Sequence, residues 1–122
     1  MGLVQDQLTL ATLSAVSASG QTGTFNLSGY KSGMLILNLT AVTGTTPVLT
    51  PTLQASLDGA TAWTNVPTSL FAGFAATSGT GAQAQWLPFL LPLGLGNCRL
   101  SYTISGTTPS FTGTLVGILN KN

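Results

Sequence analysis

Five side chains of this sequence carry a full charge at neutral pH: Asp6, Lys31, Asp58, Arg99 and Lys121. One cysteine, Cys98, completes the set of obviously reactive groups. General acid–base catalysis needs a positioned proton carrier with a tuned pKa, most often His, Glu or Asp. The chain has no His and no Glu, and its two Asp lie in the opening segment and in a turn, so a carboxylate pair would need the fold to join remote segments. Cys98 lacks a His to form a thiolate pair, and no Ser has the His that a hydroxyl nucleophile ordinarily uses. Catalysis is not expected.

Binding of ions and polyanions fares no better. Zinc and copper sites draw on clustered His and Cys, which one Cys cannot supply. Calcium would have to rest on Asp58 and backbone carbonyls, with too few anionic ligands for high affinity. Three dispersed basic residues cannot neutralise enough phosphates to hold nucleic acid. The Gly-rich Ser78-Gly79-Thr80-Gly81 lacks the Gly-Lys-Ser/Thr ending of a phosphate loop. No cofactor, metal or nucleic-acid partner is expected. The aromatics Trp63, Trp86, Tyr30 and Tyr102 could form a platform for sugar rings, but large aromatics also fill β cores, and the core is the expected place for them.

What remains is a chain built for surfaces. Charged residues make up 4% of its 122 residues, against roughly 25% in an average soluble domain, while 43% are hydrophobic. That apolar content excludes general disorder. Twenty Thr and eleven Ser supply the polarity instead, giving a wettable but weakly self-repelling exterior. With a net charge of +1, little electrostatic protection against association exists, which favours obligate assembly over a neutral monomer kept soluble by hydroxyls. The opening Met1 to Gln7 lacks the basic and apolar regions of a secretory signal, so cytosolic synthesis is expected. The most apolar stretch, Trp86 to Leu95, is too short for a membrane span and is broken by Pro88 and Pro92. No intrachain disulfide can form, and Cys98 reads as a small buried hydrophobe.

Period-two alternation dominates the chain, which predicts strands. Leu35, Leu37, Leu39 and Ala41 share one face, and Leu49, Leu53, Ala55 and Leu57 share the next. The pattern returns in Cys98, Leu100, Tyr102 and Ile104 and in Phe111 and Leu115. Between the members of each pair stands the same tetrapeptide, Gly44-Thr45-Thr46-Pro47 and Gly106-Thr107-Thr108-Pro109. Residues 44–53 and 106–115 match at seven of ten positions with a constant offset of 62, which implies an internal duplication. Gly permits unusual dihedrals and Pro starts a strand where no ladder donor is needed, so each tetrapeptide predicts a hairpin connection. Further strands are expected over Leu8–Val16, Thr22–Leu27, Thr61–Val66, Leu70–Phe74 and Gln83–Leu90, with Asp58-Gly59 as a tight turn. The expected fold is all-β: an antiparallel β-sandwich, jelly-roll, Ig-like or barrel-like, of about eight or nine strands with two equivalent hairpins. Residues 1–19 are expected to form an extended arm and residues 20–122 a single domain.

The strand-turn-strand around Gly44-Thr45-Thr46-Pro47, the Ser56-Leu57-Asp58-Gly59-Ala60-Thr61-Ala62-Trp63 turn and the Tyr102 to Phe111 stretch resemble small all-β structural proteins of tailed bacteriophages. The resemblance spans roughly residues 30 to 119 and rests on turn chemistry. It implies a virion component, a head decoration or cement protein made in the host cytoplasm, partnered by the major capsid protein and by its own copies as a homo-oligomer, with a trimer as the guess. The scarcity of charge and the apolar Leu87 to Leu93 run depart from the family, leaving a tail or head-tail connector station open. A carbohydrate-binding or adhesion module is the reading from another class. Partner contacts are expected from the arm, from the Gly-rich Ala72 to Ala84 loop and from Leu87 to Leu95. The residues singled out are Leu3, Val4, Leu8, Phe71, Phe74, Trp86, Leu87, Phe89 and Leu91.

Overall fold

Two long strands dominate the computed structural model, which describes residues 5–90 and 96–121. They are β4 (Ser32–Ser56) and β8 (Asn97–Asn120), paired antiparallel from Ser32↔Asn120 to Ser56↔Asn97. Two further strands of substantial length, β1 (Gln5–Val16) and β7 (Gln83–Leu90), flank them, and four two-residue strands complete the set: β2 (Gly20–Gln21), β3 (Phe25–Asn26), β5 (Thr64–Asn65) and β6 (Thr77–Ser78). All eight join one antiparallel sheet, and no helix occurs among the described residues. The all-β, antiparallel expectation holds; the described strands form one sheet where two were expected.

The expected hairpins are absent, because β4 runs straight through Gly44-Thr45-Thr46-Pro47 and β8 through Gly106-Thr107-Thr108-Pro109. The two tetrapeptides face each other across the ladder at Thr45↔Thr107. Gly44 and Gly106 both sit at φ 117, Thr46 at φ 48 and Thr108 at φ 47. Each Thr hydroxyl donates to the carbonyl just before it at 2.8 Å, Thr46 to Thr45 and Thr108 to Thr107. A Cβ on Gly44 would come within 2.7 Å of the Thr108 carbonyl, and one on Gly106 within 2.7 Å of the Thr46 carbonyl. The same chemistry that would make a turn here makes a double kink in a continuous ribbon, since both need positive φ and a site without a ladder donor.

The duplication is therefore a pseudo-two-fold axis through Thr45 and Thr107. Shifting each partner by 62 converts the pair Val42↔Phe111 into Leu49↔Ile104, and Thr43↔Ser110 into Val48↔Ser105. The exchange extends outwards: β1, β2 and β3 of the first half pair with β8, while β5, β6 and β7 of the second half pair with β4. Over its described residues the expected arm is thus the edge strand β1 of the chain's own sheet. One bulge, at Thr40, breaks the symmetry. It moves the inward position from Ala41, which is exposed, to Val42, and so corrects the simple alternation expected there.

A straight strand of 25 residues at about 3.3 Å each would span about 80 Å, whereas a compact domain of this size is about 35 Å across. The exposed surface of 6320 Å² is close to the roughly 6,100 Å² of a compact 12.4 kDa chain. The ribbon must therefore bend at its kinks, and one continuous face closes over a single core. That face carries Leu35, Leu37, Leu39 and Val42, then Leu49 and Leu53, with Cys98, Leu100, Phe111, Leu115 and Leu119 from β8. Leu57 ends outside, fully exposed, because β4 stops at Ser56. Of Leu70–Phe74 only the Phe71↔Phe89 bridge forms, and of Thr61–Val66 only Thr64–Asn65 is strand.

Candidate interaction surface

Alternation along the ribbon gives every inward residue an outward neighbour, and the outward face differs on the two sides of the kinks. Beyond the kinks, Thr50, Thr52 and Gln54 on β4 lie opposite Thr103, Ser101 and Arg99 on β8. Before them, Met34 and Ile36 on β4 lie opposite Ile118 and Val116. Here β7 extends the sheet, placing Trp86 beside Ile36, Pro88 beside Met34 and Leu90 beside Ser32. Gln7 and Thr9 of β1 flank Ile118 and Val116 on the far side. The outcome is a four-stranded outer face whose centre is apolar and whose margin is hydroxyl and amide. Trp86 is 60% exposed and Leu90 55%, among the few large hydrophobics so open to solvent.

No outward strand position of this face is charged; Lys31, exposed, directly precedes β4 at its end, its amide donating to the Asn120 carbonyl at 2.8 Å. Asp6 and Lys121 form an ion pair of 3.4 Å at one end of the sheet, where the Tyr30 hydroxyl also donates to Asp6 at 2.8 Å. That hydrogen bond, ahead of Lys121, lowers the Asp6 pKa, and acceptance of it by the carboxylate raises that of Tyr30. Arg99 lies on the polar half, its guanidinium 4.3 Å from the Trp63 ring centre and its Nε donating to Gln54 at 3.0 Å.

Asp58 is occupied by its own turn. Its Oδ1 accepts from the Ala60 and Thr61 amides and the Ser56 hydroxyl, and Thr61 Oγ1 donates to Oδ2 at 2.6 Å. The Thr61 hydroxyl, then the Thr61 and Ala60 amides, hold its carboxyl well below the usual carboxylate range. This is the structural role the Asp-Gly sequence suggests. Cys98 is fully buried, and desolvation pushes its thiol up to about 12, so the thiolate is not accessible at neutral pH. Among the described residues no three His, Cys, Asp or Glu cluster as metal ligands would. A shallow depression of about 400 Å³ lies between Thr46–Val48 and Ser78–Thr80, lined by apolar and hydroxyl groups with no ionisable side chain.

The residues singled out for contact divide sharply. Trp86 and Leu8 are exposed, Leu8 at 38%. Phe71, Phe74 and Phe89 are core residues at 3%, 7% and 3% exposure, the first two stacked edge to face at 5.1 Å. Leu87 packs partly against the same core. They are corrected as contact residues: β7 alternates, so Leu87 and Phe89 point inward while Trp86, Pro88 and Leu90 point outward. Leu3, Val4 and Leu91 lie outside the described residues. The Ala72 to Ala84 segment is tied down, its Ala75 amide and carbonyl both bonded by the Gln85 side chain at 2.9 Å.

Met34, Ile36, Leu90, Val116 and Ile118 escape a reading based on alternation. Their signal is the failure of alternation: Met34-Leu35-Ile36-Leu37, Leu115-Val116-Gly117-Ile118-Leu119 and Trp86-Leu87-Pro88-Phe89-Leu90 are apolar on both parities, which marks strands covered on both faces. Tyr102 is buried as expected, Trp63 is half-buried, and Trp86 is the aromatic that departs from the expected core position. Comparison of the chain with protein families, curated proteins and solved structures finds no match.

Proposed function

We propose that this protein is a non-enzymatic structural subunit of a virus particle, a decoration or cement protein of a tailed-phage head, acting by burial of uncharged surface against neighbouring subunits. The observation that carries this reading is the outer face on which Trp86 and Leu90 stand exposed beside the part-buried Met34, Val116 and Ile118, with no ionisable group at its outward strand positions. Placement on a phage head rests on the resemblance of the turn segments, and a tail or connector subunit would use the same face against a different partner.

The energetics suit a repeated contact. At roughly 25 cal/mol per Å² of apolar area, each subunit contributes modestly, and ordering costs reduce the net gain. Many copies on one shell multiply the effect. Co-sedimentation with undecorated phage heads tests the reading. The chain should pellet with the shells in fixed stoichiometry and raise the temperature at which they rupture; shells that pellet without it, and rupture unchanged, would refute the assignment.

A glycan-binding reading has one observation in its favour, the half-buried Trp63 set among Gln54, Asn65 and Arg99. Arg99 already covers one face of that ring, so a sugar would have only the other to stack on. Quenching of Trp63 emission by soluble glycans in a Trp86→Phe chain would establish that reading.

A further inference from the structure

The geometry points to a second copy of this chain as an occupant of the apolar outer face, giving a face-to-face dimer of sheets that meets on the exposed Trp86 and Leu90 and on the part-buried Met34, Val116 and Ile118 beside them. This rests on the structural-subunit reading and names a partner for its surface.

The partner's chemistry follows from what the face lacks. A foreign partner is commonly selected by complementary charge, which steers approach and rejects wrong surfaces. None of the outer positions of β1, β8, β4 and β7 is ionisable: they hold Gln7 and Thr9, Thr114 to Ile118, Met34 to Asn38, and Ala84 to Leu90. A charge-free face has no like-charge penalty against its own image, and an isologous pair sets one patch against itself. Two outer faces of Met, Ile, Val and Trp side chains would interdigitate at the roughly 10 Å spacing of packed sheets.

The size fits a modest dimer. Four strands about 4.8 Å apart and the eight residues of β7 give a footprint of roughly 500 Å² per copy. Stable pairs bury about 800 Å² each, so the face lies at the weaker end of specific interfaces and the dimer should be concentration-dependent. The polar half of the sheet supplies the contrast. Its outer positions hold Thr, Ser, Gln and Arg side chains, exposed or part-buried, in place of Met, Ile and Val.

Sedimentation equilibrium over a wide concentration range tests this on the full chain, alongside a Trp86→Glu/Leu90→Glu double variant. Both positions are exposed on an edge strand, so the fold should survive, and circular dichroism and the urea midpoint check that it does. The wild type should move from one to two chain masses as concentration rises, and the variant should need at least tenfold more protein for the same shift. A Trp63→Phe chain, which reports Trp86 alone, should show a blue shift of emission over the same range. A wild type that stays at one chain mass, or a folded double variant that dimerises as readily as the wild type, overturns the inference. Co-sedimentation with shells separates the two readings. A monomer that still decorates shells removes the dimer alone, and a dimer that ignores shells removes the capsid assignment alone.

Discussion

The two sides of the kinked ribbon share an inner face and differ in their outer one. Inward, Leu35, Leu37 and Leu39 on one side do the same work as Leu49, Leu53 and Leu100 on the other, all buried to within a few per cent. Outward, Met34, Ile36, Val116 and Ile118 replace the Thr50, Thr52, Ser101 and Thr103 pattern. Because a pseudo-two-fold axis relates the long strands, the polar side acts as an internal control. It shows an outer face of the same ribbon built from hydroxyl, amide and guanidinium groups. The apolar side departs from that control: Ile36 is buried by the fold itself, whereas Trp86 and Leu90 are left open to solvent.

The largest effects should fall on the shared inner face and be alike on both sides. Leu37→Ala and Leu53→Ala each remove a buried leucine from the same core, and each should cost about 2–5 kcal/mol by urea unfolding. A large cost on one side only would mean that the core belongs to one half of the ribbon. Next come the kinks. Gly44→Ala and Gly106→Ala place a Cβ at φ 117 against an opposing backbone carbonyl, so each should cost about 1–3 kcal/mol, and the two costs should agree. Disagreement would show that the duplication is a likeness of sequence without equivalent mechanics.

How far the sequence foretells this is clearest at those glycines. Gly, Thr and Pro announce a break in regular strand geometry, and a break occurs at both places. A chain reversal and a kink between facing strands need the same positive φ and the same missing donor, so composition cannot choose between them. The repeat at offset 62 held the missing information, since two identical kinks can meet on a dyad. The bulge at Thr40 is similarly silent, because one extra residue alters parity without altering residue types. Inward residues such as Leu37, Leu100 and Phe111 were legible from alternation, and Asp58 from its following Gly. The outer face is not legible in the sequence, because a continuous apolar run such as Trp86 to Leu90 has the same composition whether one of its faces is covered or both. Phe71 and Phe74 are buried although they lie outside the long strands, because exposure in a loop depends on what the loop covers.

Smaller effects sharpen the contrast at the polar side's end of the ribbon, where the Asp58 turn lies. Its folded carboxyl titrates below the ordinary 3.8, so its contribution is complete above that pH and is lost as pH falls through the folded value. The urea midpoint should therefore decline on acidification below about pH 4, and Asp58→Asn should flatten the decline, leaving the share due to Asp6. An unchanged pH profile would remove the turn's carboxylate from the stability of that end. Smallest of all should be Trp86→Thr with Leu90→Thr, which gives part of the apolar side the polarity of its counterpart. Stability should move by no more than about 0.5 kcal/mol while self-association weakens. A much larger loss of stability would mean that these side chains serve the fold after all.

A dilution series followed by amide and methyl NMR resolves the two outer faces residue by residue in one sample. Signals of Met34, Ile36, Val116 and Ile118 should shift and broaden as concentration rises, while Thr50, Thr52, Ser101 and Thr103 stay fixed. Changes confined to the polar set, or no concentration dependence anywhere on the sheet, would contradict an outer face made for a partner.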